Sequence, residues 1–149
     1  MRKFELTTDT KMRFGKKLFR IKALIDFGNV KAGEKGGYIE KEENLSQWGN
    51  AWVYGNAWVC GDAKVYGNAW VSGNADYATA SGFGSEYRTT TFFRLKNSDE
   101  IGVRCGYFYG TLKEFKEKVK ETHGETKKAK EYLMLADLME YRFSEEKKA

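Results

Sequence analysis

The sequence predicts a mostly β chain built around a parallel β-helix of about three coils, flanked by N-terminal strands and capped by a β-hairpin and two α-helices. Three observations carry that reading. A six-residue repeat runs unbroken through residues 49–78. The chain of 149 residues has 16 glycines and no proline, a composition of ordered backbone that turns tight corners repeatedly. Apolar residues at helical spacing are confined to the last third of the chain.

The repeat reads GNAWVY, GNAWVC, GDAKVY, GNAWVS and GNADYA from Gly49. Valine recurs at Val53, Val59, Val65 and Val71, with Tyr77 in the next equivalent place. A period of two along each short strand turns these residues inward and their neighbours outward. Gly-Asn-Ala then turns the corner, since glycine and asparagine most readily adopt positive φ and alanine fits a crowded bend. Three such units close an 18-residue coil, and coils of this kind are stable only when stacked. The register places Trp52 over Trp70, Val53 over Val71, Tyr54 over Ser72, Trp58 over Asp76 and Cys60 over Ala78. Lys64 and Tyr66 share a third side with Ser46 and Trp48, and Asn56 and Asn74 form a corner ladder. Trp52, Tyr54 and Trp70 thereby make an outward aromatic patch, which packs on another part of the chain, meets another subunit or holds a ligand.

Upstream, Phe4 and Leu6 alternate, and Met12, Phe14, Leu18, Ile21 and Leu24 continue an apolar pattern around a hairpin tip at Gly15-Lys16. Downstream, 87–96 and 101–109 are β runs separated by Asn97-Ser98-Asp99-Glu100, a hairpin signal. Thr111 and Glu114 form a capping box that opens a helix with Leu112, Phe115 and Val119 on its buried stripe and Gly124 at its end. A second helix over 126–143 buries Tyr132, Leu135, Ala136, Met139 and Phe143. The expected organisation is one unit: N-terminal strands over 1–29, the repeat over 30–86, a hairpin over 87–110 and a helical cap over 111–149.

The unit Val53-Tyr54-Gly55-Asn56-Ala57-Trp58 and its copies resemble the hexapeptide-repeat, left-handed parallel β-helix family. That resemblance implies the left hand and a trimeric assembly. The runs GGYIEKEENLSQWGNAWVYGNAWV, RCGYFYGTLKEF and KETHGETKKAKEYL resemble a family of small phage and prophage proteins labelled hypothetical or polymer-forming. This second resemblance implies action in an infected cell and supplies no catalytic residues.

Composition narrows the chemistry. The net charge of +5 belongs to the N-terminal segment, where eight Lys and Arg up to residue 24 face Glu5 and Asp9. Such a segment is either a solvated face or an anion site. Cys60 and Cys105 cannot build a disulfide framework, no run approaches the roughly 18 apolar residues of a membrane span, and the N-terminus lacks a secretory pattern, so a cytoplasmic location is expected. Acyltransferases of this repeat class use a histidine base near the coils, and a zinc anhydrase needs three histidines. The chain has one, His123, placed at a helix C-terminus where its charge suits the dipole. The glycines precede strands, whereas a phosphate loop needs a helix and a lysine after it.

The expectation is therefore a non-enzymatic, phage-type binding protein with no cofactor, metal or catalytic residue. It is a homo-oligomer, a trimer by resemblance, that sequesters a small anionic, nucleotide-like host defence signal. Trp52, Tyr54 and Trp70 are the stacking candidates; Arg13, Arg20, Arg88 and Arg104 are the charge candidates. The alternatives are a binder of a host protein or nucleic acid through the basic N-terminal strands, and a self-assembling scaffold.

Overall fold

A computed structural model describes residues 2–73, 76–84, 88–96, 98–106 and 108–144. Strands β1 (Phe4–Arg13) and β2 (Lys16–Ala23) form an antiparallel hairpin, with Arg13 opposite Lys16. Its turn is Phe14-Gly15, one residue earlier than the spacing predicts, and both residues have positive φ (51° and 77°). Two consecutive positive values give the mirror-image turn whose twist matches that of a hairpin. Strand β3 (Lys35–Ile39) pairs antiparallel with β2.

The repeat contributes three strands of two residues each: β4 (Trp52–Val53), β5 (Trp58–Val59) and β6 (Trp70–Val71). β4 pairs in parallel with β6, Trp52 against Trp70 and Val53 against Val71. β5 pairs in parallel with β3, Tyr38 against Trp58 and Ile39 against Val59. A single parallel bridge joins Leu45 to Val65. Val53, Val59, Val65 and Val71 all have 0% exposure, as the alternation requires.

The expected left-handed parallel β-helix of about three coils is not the architecture. The sheet order β1-β2-β3-β5 joins two antiparallel pairs to one parallel pair, and β4-β6 stands as a separate two-stranded sheet. A third sheet, antiparallel throughout, has the order β10-β9-β8-β7. It comprises β7 (Tyr77–Phe83), β8 (Arg88–Arg94), β9 (Ile101–Cys105) and β10 (Phe108–Thr111). Here the chain leaves the six-residue rhythm: Ala78 pairs with Phe92, not with Cys60, and Trp58 pairs with Tyr38, not with Asp76. The reason is the length of ladder on offer. A rung of the repeat pairs two residues, whereas β7 finds a partner in β8 from Tyr77 to Phe83. Asn74 and Ala75 of the last hexad, and Tyr87, Asn97 and Tyr107 of the predicted hairpin, lie outside the described residues.

Helix α1 (Leu112–His123) begins at the predicted capping box: the Glu114 amide donates to Thr111 Oγ1 at 3.2 Å, and Glu114 Oε1 accepts the Thr111 amide at 2.9 Å. It ends at Gly124, with φ 59°. Helix α2 (Lys127–Phe143) is capped by Thr126 and buries Ala129, Tyr132, Ala136, Met139 and Phe143, while Leu135 is half-buried. Both helices pack on one face of the third sheet through Phe92, Ile101 and Val103, and Phe93 joins the core around the repeat valines. No helix among the described residues is long and apolar enough to cross a membrane.

A candidate ligand groove beside the repeat

The groove starts with a buried asparagine. Asn44 closes a 3-10 turn (Glu42–Asn44); its Oδ1 accepts the Glu40 and Lys41 amides, and its Nδ2 donates to the Gly61 and Ala63 carbonyls at 3.1 and 2.9 Å. All the side chain's principal hydrogen-bonding directions are used, which locks the segment after it. Leu45 then bridges to Val65, and the Ser46 amide donates to the Val65 carbonyl at 2.9 Å. Gln47 turns back to the N-terminus: its Oε1 accepts the Lys3 and Phe4 amides, and its Nε2 donates to Glu42. Trp48 follows, its amide donating to Ser46 Oγ and its side chain 74% exposed.

This fixed segment forms one wall of a cavity of about 390 Å³; Lys64, Tyr66 and Arg104 form the other. The Lys64 amide is tied to Thr91 Oγ1 at 2.9 Å, which joins the wall to the third sheet. The Arg104 guanidinium lies 4.5 Å from the Tyr66 ring centre, a cation–π contact that holds its plane. Arg104 Nε is buried and has no hydrogen-bond partner among the described residues. Tyr109 leans on Tyr66 with ring centres 5.4 Å apart, and packs so closely on Gly67 that a side chain at that position would collide with it. Glu42 and Glu43 also line the cavity, but Arg2 pairs with Glu42 at 2.9 Å.

The predicted site residues do not converge. Trp52, expected to face outward, has 0% exposure and packs edge-on between Phe4 (6.3 Å) and Phe27 (5.2 Å). It cannot stack a base, because Phe4 of the N-terminal hairpin and Phe27 of the connection after it cover it. Tyr54 and Trp70 are half-buried and stack on each other at 4.7 Å, with Lys96 Nζ 5.1 Å from the Trp70 ring centre. Burial, then the charge of Glu34, raises the Tyr54 hydroxyl's pKa. Arg13 sits at the hairpin tip and donates to the Met12 carbonyl. Arg20 is a structural clamp, donating to Asp9 (3.0 Å), the Gly36 carbonyl (2.7 Å) and the Tyr38 hydroxyl (2.8 Å). Arg88 crowds Gly106 on the third sheet. Among these candidates, Arg104 is the one in the groove.

The register of the repeat puts Trp48 and Tyr66 on one side without marking either as a site residue. The signal was available. Tyr66 occupies the outward sixth position of its hexad, where the other copies carry Tyr54, Cys60, Ser72 and Ala78, and Trp48 stands one six-residue step before Tyr54.

A second cavity of about 200 Å³ brings Cys105 and His123 to one apolar lining with Phe108, Phe115, Val119 and Tyr132. The His123 and Tyr132 rings lie 6.2 Å apart, and burial raises the Tyr132 pKa to about 12. Cys60 is elsewhere, in the repeat, its thiol pKa raised chiefly by burial. Among the described residues no three His, Cys, Asp or Glu gather as a metal site would require. Comparison with protein-family models and with curated proteins yields no match.

Proposed function

We propose that the protein is a non-enzymatic binding protein that captures a small anionic, base-bearing ligand in the groove between Trp48 and Arg104. The observation that carries this reading is the pairing of an exposed tryptophan with an oriented guanidinium whose Nε lacks a partner, across a cavity of nucleotide size. An aromatic face receives a base of any sequence, and a planar guanidinium receives a phosphate in two-pronged fashion. Lys64 adds charge, and Glu43 supplies an acceptor for an exocyclic amine. Ser46 accepts the Trp48 amide, and the single histidine lines the other cavity, so the groove's serine has no imidazole base beside it. The resemblance to small phage proteins supports a host signalling nucleotide as ligand, met in the cytoplasm and sequestered there.

Isothermal titration against a panel of mono-, di- and cyclic nucleotides tests the proposal. Trp48→Ala and Arg104→Ala should each weaken binding by about tenfold or more on the scale of a stacked base or a charged hydrogen bond. Affinity unchanged in both variants removes the groove from the reading.

A second reading has its own observation. Phe14 is 88% exposed at the hairpin turn and is the one non-glycine with positive φ among the described residues. A bulky residue held in that conformation beside Arg13, Lys16 and Lys17 supports contact between the basic hairpin and a host protein or nucleic acid. Retained partner capture by Phe14→Asn would count against it.

A further inference from the structure

Helix α2 is apolar on two opposite faces. Tyr132, Ala136, Met139 and Phe143 pack on α1 and the third sheet, while Met134, Leu138 and Tyr141 recur at four- and three-residue spacing on the other side. That spacing places them in one stripe, and they are 69, 54 and 79% exposed. Exposed apolar residues gathered in one stripe mark a contact surface, so the second stripe calls for a cover.

The charges beside the stripe say what covers it. Glu131 and Arg142 flank it on the same side, three turns apart, and neither forms an ion pair with a described residue. By contrast, Asp137 and Glu140 are both held by Lys116 of α1. Laid antiparallel against a second α2, the stripe aligns Leu138 with Met134 of the other copy, and Glu131 with Arg142 of the other copy. Both pairings are centred at the height of Ala136 to within half a residue, so one two-fold axis satisfies them together. Each contact then occurs twice, as a self-complementary interface demands.

We infer that the outer face of α2 is the contact of a symmetric dimer, with a second copy of this chain as its occupant. Three side chains per copy fall short of the roughly 1,200 Å² of a stable interface, so the dimer is weak and concentration-dependent. The inference does not rest on the groove: Trp48 and Arg104 take no part in it.

Sedimentation of the full chain at roughly 200 μM, a concentration suited to weak association, should give twice the 17.1 kDa chain mass. Leu138→Arg, at an exposed position, should return the monomer without changing the melting temperature. Glu131→Arg and Arg142→Glu should each weaken dimerisation by about fivefold or more, as expected for a lost ion pair replaced by like charges. The double variant, in which each charge again meets its opposite, should regain it. A wild-type monomer at that concentration, as a different partner for the stripe would leave, overturns the inference. So does a threefold mass, or a dimer indifferent to Leu138→Arg. Single reversals that weaken a dimer without recovery in the double variant overturn the antiparallel pairing.

Discussion

Phe92 and Phe93 are consecutive, both have 0% exposure, and they belong to different cores. Strand β8 sends Phe92 toward the helices, where it meets Phe115 edge-on at 6.2 Å, and Phe93 toward the repeat valines. The alternation of a strand thus makes one pair of residues the seam of the molecule. Phe92→Ala and Phe93→Ala should each cost about 3–5 kcal/mol, the usual range for a phenylalanine removed from a core. Urea titration followed by circular dichroism checks this, and a loss under about 1 kcal/mol in either variant would contradict its place in the seam.

Val65 has 0% exposure and bridges to Leu45 beneath the groove. Val65→Asp places a carboxylate there without a partner, which costs several kcal/mol. The variant should unfold, or melt far below the parent, in a thermal scan.

Asn44 makes four hydrogen bonds from inside the chain, two to amides and two to carbonyls. Asn44→Ala takes the side chain from the Lys41 amide and the Gly61 and Ala63 carbonyls at a cost of about 3 kcal/mol or more, while the Glu40 amide keeps the Val59 carbonyl at 3.1 Å. It should also loosen the segment that carries Trp48, so proteolysis near residues 45–50 should accelerate before global unfolding does. Uniform protection along the chain would show that the asparagine does not organise that wall.

Lys3 is 1% exposed, with its ammonium donating to the Ala51 carbonyl at 2.7 Å and lying 4.8 Å from the Phe27 ring centre. Those contacts favour the charged form, but desolvation outweighs them and lowers the pKa to about 8 from 10.5. Below pH 8 both folded and unfolded chains carry the proton, and the burial penalty is fully present. Between pH 8 and 10.5 the folded chain has released it while the unfolded chain retains it, so stability rises with pH in that window. The gain from pH 7.5 to 9.5 should be about 2 kcal/mol from this residue. Burial raises the Cys60 thiol's pKa, which acts in the opposite sense from about pH 9. Tyr77 and Tyr132, both raised to about 12, do so above pH 10. The difference in urea stability between wild type and Lys3→Met across this range isolates the lysine, and parallel curves would refute its depressed titration.

Local signals in the sequence were faithful where local physics decides. The Thr111–Glu114 box, the Gly124 stop, the stripe of α1 and the inward valines all appear as the residues imply. The failures are non-local. The hexads at 49–54, 55–60 and 67–72 share the letters GNAWV, yet Trp52 is sealed while Trp58 and Trp70 are half-buried. What distinguishes Trp52 is Phe4 arriving from β1 and Phe27 from the connection between β2 and β3, contacts no window of the repeat contains. Rhythm likewise could not reveal that Tyr77–Phe83 would abandon parallel rungs for an antiparallel partner. The groove depends on Arg104 reaching Tyr66 from another sheet, so its members are scattered along the chain.

The lysine near the start of the chain also imposes an order on folding during synthesis. The hairpin β1–β2 closes from neighbouring residues and can form as soon as they leave the ribosome, but the Ala51 carbonyl that receives the Lys3 ammonium is made 48 residues later. Until then the ammonium stays in water, and Phe4 and Phe27 lack the tryptophan they will enclose. At roughly 5–20 residues per second, translation holds this half-built layer open for seconds. Chaperones would meet the nascent chain in that interval, at an apolar sheet face that the finished protein never shows.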